Sequence, residues 1–384
     1  MDFQLPEELI DLKKSIREFV DKELIPVSQQ VEDEDKIPDN VLKQMKELGY
    51  FGLPFPEEYG GMGVGYMGYC VALEELGRAN AAYSNILGAH TSIAGGTIAL
   101  GGNAQQKEKY LRPMAEGKML GAFALTEPGS GSDAASIRTT AFKKGDRYII
   151  NGQKIWITNG PYADVITVYA STDKTLGPRG ISAFIVEKGT PGLEYGKVDH
   201  KMGLHGSHTC PLFFEDMEVA EENRLGPEGT GFYTAMKALD GGRVSLAAGA
   251  VGGAQAMLEA SVKHAQERQQ FGKPIGENQA IQWMLADMEV EIHATRLMVY
   301  HAAWKLDQGQ RASHEAAMVK VYASEMAGRV ADKAVQIHGG MAYMHDSPIE
   351  RGYRDVRILR IYEGTSEVQR MIIAGDLLKN SSKN

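Results

Sequence analysis

The chain has 384 residues, 43% hydrophobic and 24% charged, enough apolar material for two or three buried cores. Its 41 Lys and Arg stand against 50 Asp and Glu, a formal charge of −9. Such a surface repels phosphate backbones, which argues against nucleic acid as a general partner but leaves room for one local anion site.

The chain opens Met1-Asp2-Phe3-Gln4 and turns acidic at Glu7 and Glu8. Neither a secretory signal nor an Arg-rich transit segment reads that way, so a bacterial cytoplasm is expected, or the mitochondrial matrix for a mature eukaryotic chain. Cys70 and Cys210 imply no disulfide framework. The longest weakly polar run, residues 244–258, holds Ser245, Gln255 and several glycines and falls short of the roughly 20 apolar residues a membrane span needs, so no membrane is expected.

Leu9, Leu12, Ile16, Phe19, Val20 and Leu24 recur at helical spacing up to Pro26, and Val41, Leu42, Met45 and Leu48 mark a second helix. Gly60-Gly61-Met62-Gly63-Val64-Gly65 superficially resembles a dinucleotide fingerprint, but no strand precedes it, so a flexible connector is expected. The middle of the chain reads as strands. Asn151-Gly152, between Tyr148-Ile149-Ile150 and Ile155-Trp156-Ile157, predicts a type I′ hairpin turn, with Trp156 and Thr158 on the far strand. Residues 181–186 alternate as a further strand. From Gly231 the pattern is helical again, with breaks at Gly272-Lys273-Pro274, Gly309 and His338-Gly339-Gly340. The expected fold is mainly α with a central, barrel-like β domain. The divisions are 1–119 (helical), 120–229 (β) and 230–384 (helical bundle).

Three segments carry chemistry. Leu125 to Asp133, rich in small and hydroxyl residues, suits close approach of a bulky anionic ligand, though it also reads as a plain turn. Trp156-Ile157-Thr158 offers a flat apolar face and a hydroxyl, though a lone Trp is more often core. Near the C-terminus Glu363 stands between apolar neighbours and a glycine; a carboxylate on an apolar wall has a raised pKa and serves as a base, whereas most lone Glu are surface. His205, His208 and Cys210 match no zinc spacing, and no metal is expected.

The three segments in this order resemble the acyl-CoA dehydrogenase family over essentially the whole chain. The signatures are Ala124 to Asp133 and Gln336 to Arg370. Gly88-Ala89-His90 and Thr126 to Arg138 look most like the very-long-chain branch, without its C-terminal extension. The resemblance implies FAD held between the β domain and the bundle, in a homotetramer built as a dimer of dimers. It places Phe123, Leu125, Thr126, Ser132, Trp156 and Thr158 around the flavin. Arg268, Gln270, Phe271, Gln279, Gln336, Gly339 and Gly340 would contact a neighbouring subunit's cofactor, and Thr365 and Glu367 the pyrophosphate and adenosine. Ser132, Asp240, Arg243, Tyr362 and Gly364 would hold the acyl-CoA. Glu363 matches the catalytic base. Some branches place the base one residue before the position of Arg243, but here that residue is Gly242. The implied reaction is dehydrogenation of an acyl-CoA, straight or branched, to trans-2-enoyl-CoA, with electrons passed to electron-transfer flavoprotein. An acyl-CoA oxidase-like enzyme and a non-catalytic flavin-binding member are the alternatives. Acyl length is open; Ala94, Gly95 and Gly96 suggest a deep pocket.

Overall fold

The computed structural model describes residues 4–381. The N-terminal part is helical: α1 (Glu7–Phe19), α2 (Ser28–Glu34), α3 (Asp39–Glu47), α4 (Gly65–Leu76), α5 (Ala81–Leu87), α6 (Gly96–Gly101), α7 (Ala104–Gln106) and α8 (Arg112–Ala115). Glu7 and Glu8 in the first turn of α1 complement the positive end of its dipole. The helix runs on through a wide turn, Val20–Leu24, whose end residues are buried, and stops before Pro26. The Gly60–Gly65 segment is a packed turn rather than a flexible connector. A β-carbon on Gly61 would sit 2.1 Å from the Phe55 carbonyl oxygen, and Gly60, Gly63 and Gly65 all have positive φ.

Eight strands form one sheet: β1 (Gly121–Ala124), β2 (Thr140–Lys144), β3 (Arg147–Thr158), β4 (Val165–Ser171), β5 (Ile181–Glu187), β6 (Leu193–Tyr195), β7 (Thr209–Ala220) and β8 (Arg224–Leu225). Their order is β6-β7-β3-β2-β4-β5-β8, with β1 parallel to β4. The hairpin expected at Asn151-Gly152 turns instead at Gly145-Asp146, since Lys144 pairs with Arg147 and Thr140 with Asn151. Both dipeptides favour tight turns. Asn151-Gly152 forms a β-bulge inside one long strand. The Asn151 side chain exchanges hydrogen bonds with Asp216 across β7, at 3.0 and 2.8 Å. Gly152 lets β3 pass Thr139 so closely that a β-carbon would lie 2.7 Å from its Cα.

The C-terminal part contains α9 (Gly231–Glu267), a small hairpin of β9 (Gln269–Gln270) and β10 (Lys273–Pro274), α10 (Gln279–Asp307), α11 (Ser313–His338), α12 (Pro348–Asp355) and α13 (Ser366–Ser381). Its core is continuous with that of the N-terminal helices: Val20, Tyr69 and Leu73 belong to the same buried cluster as Val244, Met288 and Val330. The sheet keeps its own core around Tyr148, Phe184 and Leu212. A third cluster, with Ala94, Leu125, Tyr169 and Leu239, joins helices to sheet. Among the described residues no helix is long and apolar enough to cross a membrane.

Candidate active site

A cavity of about 540 Å³ lies where the N-terminal helices, the sheet and α9 meet. Phe123, Leu125, Thr126, Ser132, Trp156 and Thr158 line it from the sheet, with Arg243 from α9 and Tyr362, Glu363 and Gly364 from the loop before α13. Ten residues expected around the flavin and the acyl-CoA thus converge on one cavity from segments more than 200 positions apart.

The Leu125–Asp133 loop is anchored from below. Glu127 and Ser130 exchange two 3.1 Å backbone hydrogen bonds, closing a tight turn over Pro128-Gly129. Lys154 of β3, fully buried, donates to Leu125 O at 2.9 Å and to Glu127 Oε1 at 2.8 Å. Burial raises the Glu127 carboxyl, but Lys154 and the amide N–H groups of Thr139 and Arg138 hold it below its usual range. Burial lowers the Lys154 ammonium to about 8 against the pull of Glu127, so the pair is ionised at neutral pH.

A second bulge, between Lys154 and Ile157, re-aims the end of β3. Trp156 takes φ 57° there and leaves 64% of its surface open. The bulge breaks the regular alternation of the strand, so Trp156 and Thr158 are not simply two residues on one pleated face, although both reach the cavity. A large, exposed aromatic beside small-residue turns fits a flat ring: β-carbons built on Gly129 and Gly131 meet nothing within 4 Å.

Glu363 has φ 54° and Gly364 φ 90°, consecutive left-handed residues. Arg243 Nε and Gln369 Nε2 each donate to Glu363 O at 3.1 Å; Gln369 Nε2 also reaches Gly364 O at 3.1 Å. Arg243 is itself held by Asp240 at 2.9 Å, and Asp240 accepts from Ser313 at 2.6 Å, so Asp240 braces Arg243 rather than lining the cavity. The Glu363 carboxylate lies against Gly242, and its Oε2 is buried with no hydrogen-bond partner among the described residues. Burial pushes its carboxyl up to about 7, with Arg243 and Lys320 opposing. A buried carboxylate without a hydrogen-bond partner, its proton affinity raised toward neutral pH, is suited to act as a general base in its ionised form.

The remaining expected residues stand elsewhere. Thr365 caps α13, its Oγ1 accepting from Val368 N at 3.3 Å, and Glu367 is exposed in the first turn of that helix. Arg268, Gln270, Phe271, Gln279, Gln336, Gly339 and Gly340 are all exposed in this chain and do not line the cavity. The ends of α9 and α11 are joined by the stacked rings of His264 and His338, 4.5 Å apart. Phe271 is 98% exposed. His205, His208 and Cys210 do not converge: His205 Nδ1 lies 3.0 Å from Glu32, His208 Nδ1 bonds the Tyr162 hydroxyl, and Cys210 is paired in the sheet.

The pocket suggested by Ala94, Gly95 and Gly96 is only partly found. Gly88, Ala89 and Ile93 line the cavity, but a β-carbon on Gly95 would lie 2.4 Å from Phe55 Cζ, so Gly95 serves packing. Sequence reasoning passed over Lys320 and Gln369, which grip the Glu363 loop. The available signal was a lysine inside the buried stripe Ala316, Ala317, Val319 and Ala323 of α11.

Three family models match the chain: Acyl-CoA dehydrogenase, N-terminal domain (residues 6–118), middle domain (122–217) and C-terminal domain (229–378). A Bacillus subtilis acyl-CoA dehydrogenase is 48% identical over 97% of this chain and 98% of its own. The caffeyl-CoA reductase-Etf complex subunit CarC of Acetobacterium woodii is 46% identical over 96% and 97%. The structure of butyryl-CoA dehydrogenase from Megasphaera elsdenii superposes with a TM-score of 0.96 at 44% identity, over 98% of this chain and 100% of that one.

Proposed function

We propose that this chain, which belongs to the acyl-CoA dehydrogenase family of FAD-dependent oxidoreductases, removes the α-proton of a short straight-chain acyl-CoA with Glu363 on the way to the trans-2-enoyl-CoA. The observation that carries this reading is the Glu363 carboxylate, ionisable near pH 7, unpartnered at Oε2 and set in the same cavity as Trp156 and Thr158.

The α C–H of a thioester is far too weak an acid for a carboxylate in water. Burial makes Glu363 a stronger base, and its backbone N–H, beside the cavity, is the donor for the thioester oxygen on which enolate charge develops. Arg243 and Gln369 hold the next peptide unit, through the Glu363 carbonyl, and so fix the backbone on which that N–H is carried. Phe123, Leu125, Thr126, Ser132, Trp156 and Thr158 are the residues that would hold the flavin, which when bound accepts the β-hydrogen with its electron pair. The short-chain choice follows from the likeness to a butyryl-CoA dehydrogenase and from Phe55 closing the space beside Gly95.

Electron-transfer flavoprotein is the proposed acceptor, in keeping with the Etf-complex relative. Self-association is supported by α10, where Trp283, Val290, Leu297 and Trp304, seven residues apart, are 61, 67, 41 and 48% exposed in the single chain. A homotetramer in which Arg268, Gln270, Phe271, Gln279, Gln336, Gly339 and Gly340 serve a neighbour's cofactor fits their exposure; Thr365 and Glu367 complete that set. The domain divisions at 119/120 and 229/230 and a bacterial cytoplasmic location belong to the same reading.

The test is anaerobic stopped-flow bleaching of the flavin by butyryl-, octanoyl- and palmitoyl-CoA. Fastest bleaching by butyryl-CoA is the expected result. No bleaching by any acyl-CoA would return the chain to a non-catalytic role, and stoichiometric oxygen uptake would make it an oxidase.

A further inference from the structure

We propose that Lys320 is the positioning residue of the catalytic loop: its ammonium clamps the Gly364 carbonyl and supplies the buried positive charge that keeps Glu363 ionised and aimed into the cavity. The proposal rests on the reading of Glu363 as the base.

Lys320 sits mid-way along α11 with none of its side chain exposed. Burying an ammonium among alanines and valines is costly unless something specific receives it. Among the described residues it forms no ion pair within 4 Å; its hydrogen bond runs to Gly364 O at 2.5 Å. That carbonyl belongs to the second of two consecutive left-handed residues, and Glu363 as a non-glycine pays a steric cost for its φ of 54°. Such a conformation persists only where its surroundings over-determine it. Here three side chains from three helices do so: Arg243 from α9 on Glu363 O, Gln369 from α13 on both carbonyls, and Lys320 from α11 on Gly364 O.

The charge is a separate effect. Arg243 on α9, Lys320 on α11, Tyr69 on α4 and Tyr362 act on Glu363 directly; Glu325 on α11 and Glu367 on α13 act on Lys320, Asp240 on Arg243, and Asp355 on Tyr362. Of these, Arg243 and Lys320 are the cations that favour the carboxylate. Arg243 is already paired with Asp240, so Lys320 is the cation not matched by a carboxylate of its own. Burial lowers the Lys320 ammonium to about 8 while Glu363 pulls it back, so the charge is present at neutral pH.

The experiment uses the holoenzyme with Lys320→Met and Lys320→Arg. Two quantities are read as a function of pH: the rate of flavin bleaching by saturating butyryl-CoA, and the ¹³C carboxyl shift of Glu363 in the ligand-free protein, assigned by its loss in Glu363→Gln. Lys320→Met should move both midpoints alkaline by about one pH unit and slow bleaching at pH 7 by about fivefold, while half-saturation by substrate stays within about threefold. Lys320→Arg, which keeps the charge, should leave both midpoints near wild type. Should Lys320→Met lose its flavin, Lys320→Gln, neutral but polar, takes its place. Uniform slowing at all pH with unmoved midpoints overturns the proposal, as does an unchanged enzyme. If wild type itself fails to bleach, the assignment of Glu363 as base fails instead, and the carboxyl titration still decides the electrostatic role of Lys320.

Discussion

Glu363 Oε2 lies 2.6 Å from the point that a β-carbon on Gly242 would occupy. The carboxylate therefore rests on a spot of α9 left bare by Gly242, and Ile93 Cγ2 stands 2.9 Å from the same point. Glycine in a helix interior costs about 1 kcal/mol relative to alanine, so its use here is explained by room for the carboxylate. Gly242→Ala should retain FAD and change stability only modestly, because alanine's helix propensity, worth about 1 kcal/mol, offsets the crowding against Ile93. It should displace the carboxylate and slow anaerobic bleaching by about ten- to a hundredfold. An alanine variant that bleaches at the wild-type rate would show that the carboxylate has another resting place.

The Glu127–Lys154 pair is the hidden support of the cavity loop. Removing one partner of a buried pair leaves an uncompensated charge and typically costs about 3–5 kcal/mol. Lys154→Met should lower the melting temperature and weaken FAD retention, since Leu125 O also loses its donor. Adding Glu127→Gln should recover part of the stability, a coupling that a double-mutant cycle in urea reads directly. Additive losses would mean that the two side chains act independently.

Chain-length selection separates two glycines that look alike in the sequence. Gly88 lines the cavity and a β-carbon there meets nothing within 4 Å; Gly95 would press on Phe55. Gly88→Leu should fold normally and cut octanoyl-CoA bleaching far more than butyryl-CoA bleaching. Gly95→Ala should instead cost about 1–3 kcal/mol by overpacking, with the ratio of the two substrates unchanged. Measuring both ratios at saturating substrate distinguishes a cavity wall from a packing contact.

Exposure in a single chain gives the assembly its own test. Val290→Asp places a charge in the middle of the α10 stripe and should lower the sedimentation coefficient to that of a smaller species. Arg268→Glu should keep the assembled state while loosening FAD, measured by dialysis against flavin-free buffer. Retention of full flavin by an isolated Val290→Asp monomer would show that the site needs no neighbour.

The three-part order of the fold and the cavity residues of the sheet were legible because their signals are local: helical periodicity, alternating strands and a short loop of small residues. The Asn151-Gly152 turn was misread because two turn-forming dipeptides, Gly145-Asp146 and Asn151-Gly152, stand close together on one segment, and Thr139 and Asp216, distant in sequence, decide which one turns. Lys154 and Lys320 were passed over for a related reason. A lysine's meaning depends on what surrounds it in space, and Glu127, Leu125 and Gly364 lie 27 to 44 residues away. Glycines gave the least information in advance: Gly88, Gly95 and Gly242 have three different neighbourhoods that periodicity does not report.

Glu363→Gln links activity to stability. Folding raises this carboxyl from an ordinary value near 4.5 to about 7. A raised folded pKa means that the native state holds the proton more tightly than the unfolded chain, so the associated stability is fully present below about pH 4.5 and is lost as pH rises through 7. Above pH 7 the ionised wild-type side chain therefore destabilises the fold by about 3 kcal/mol, an order-of-magnitude figure from the shift. Glutamine carries no charge and escapes that cost. The variant should melt several degrees above wild type at pH 8, and the difference should shrink toward zero near pH 5. Its flavin bleaching by saturating butyryl-CoA should fall by at least about three powers of ten at every pH, because an amide is a very poor base. Thermal unfolding of both holoenzymes at pH 5, 6, 7 and 8, with FAD in excess, checks the first expectation, and stopped-flow bleaching the second. A variant both inactive and less stable at pH 8 would show that the carboxylate is held by favourable contacts, and that its basicity does not come from burial.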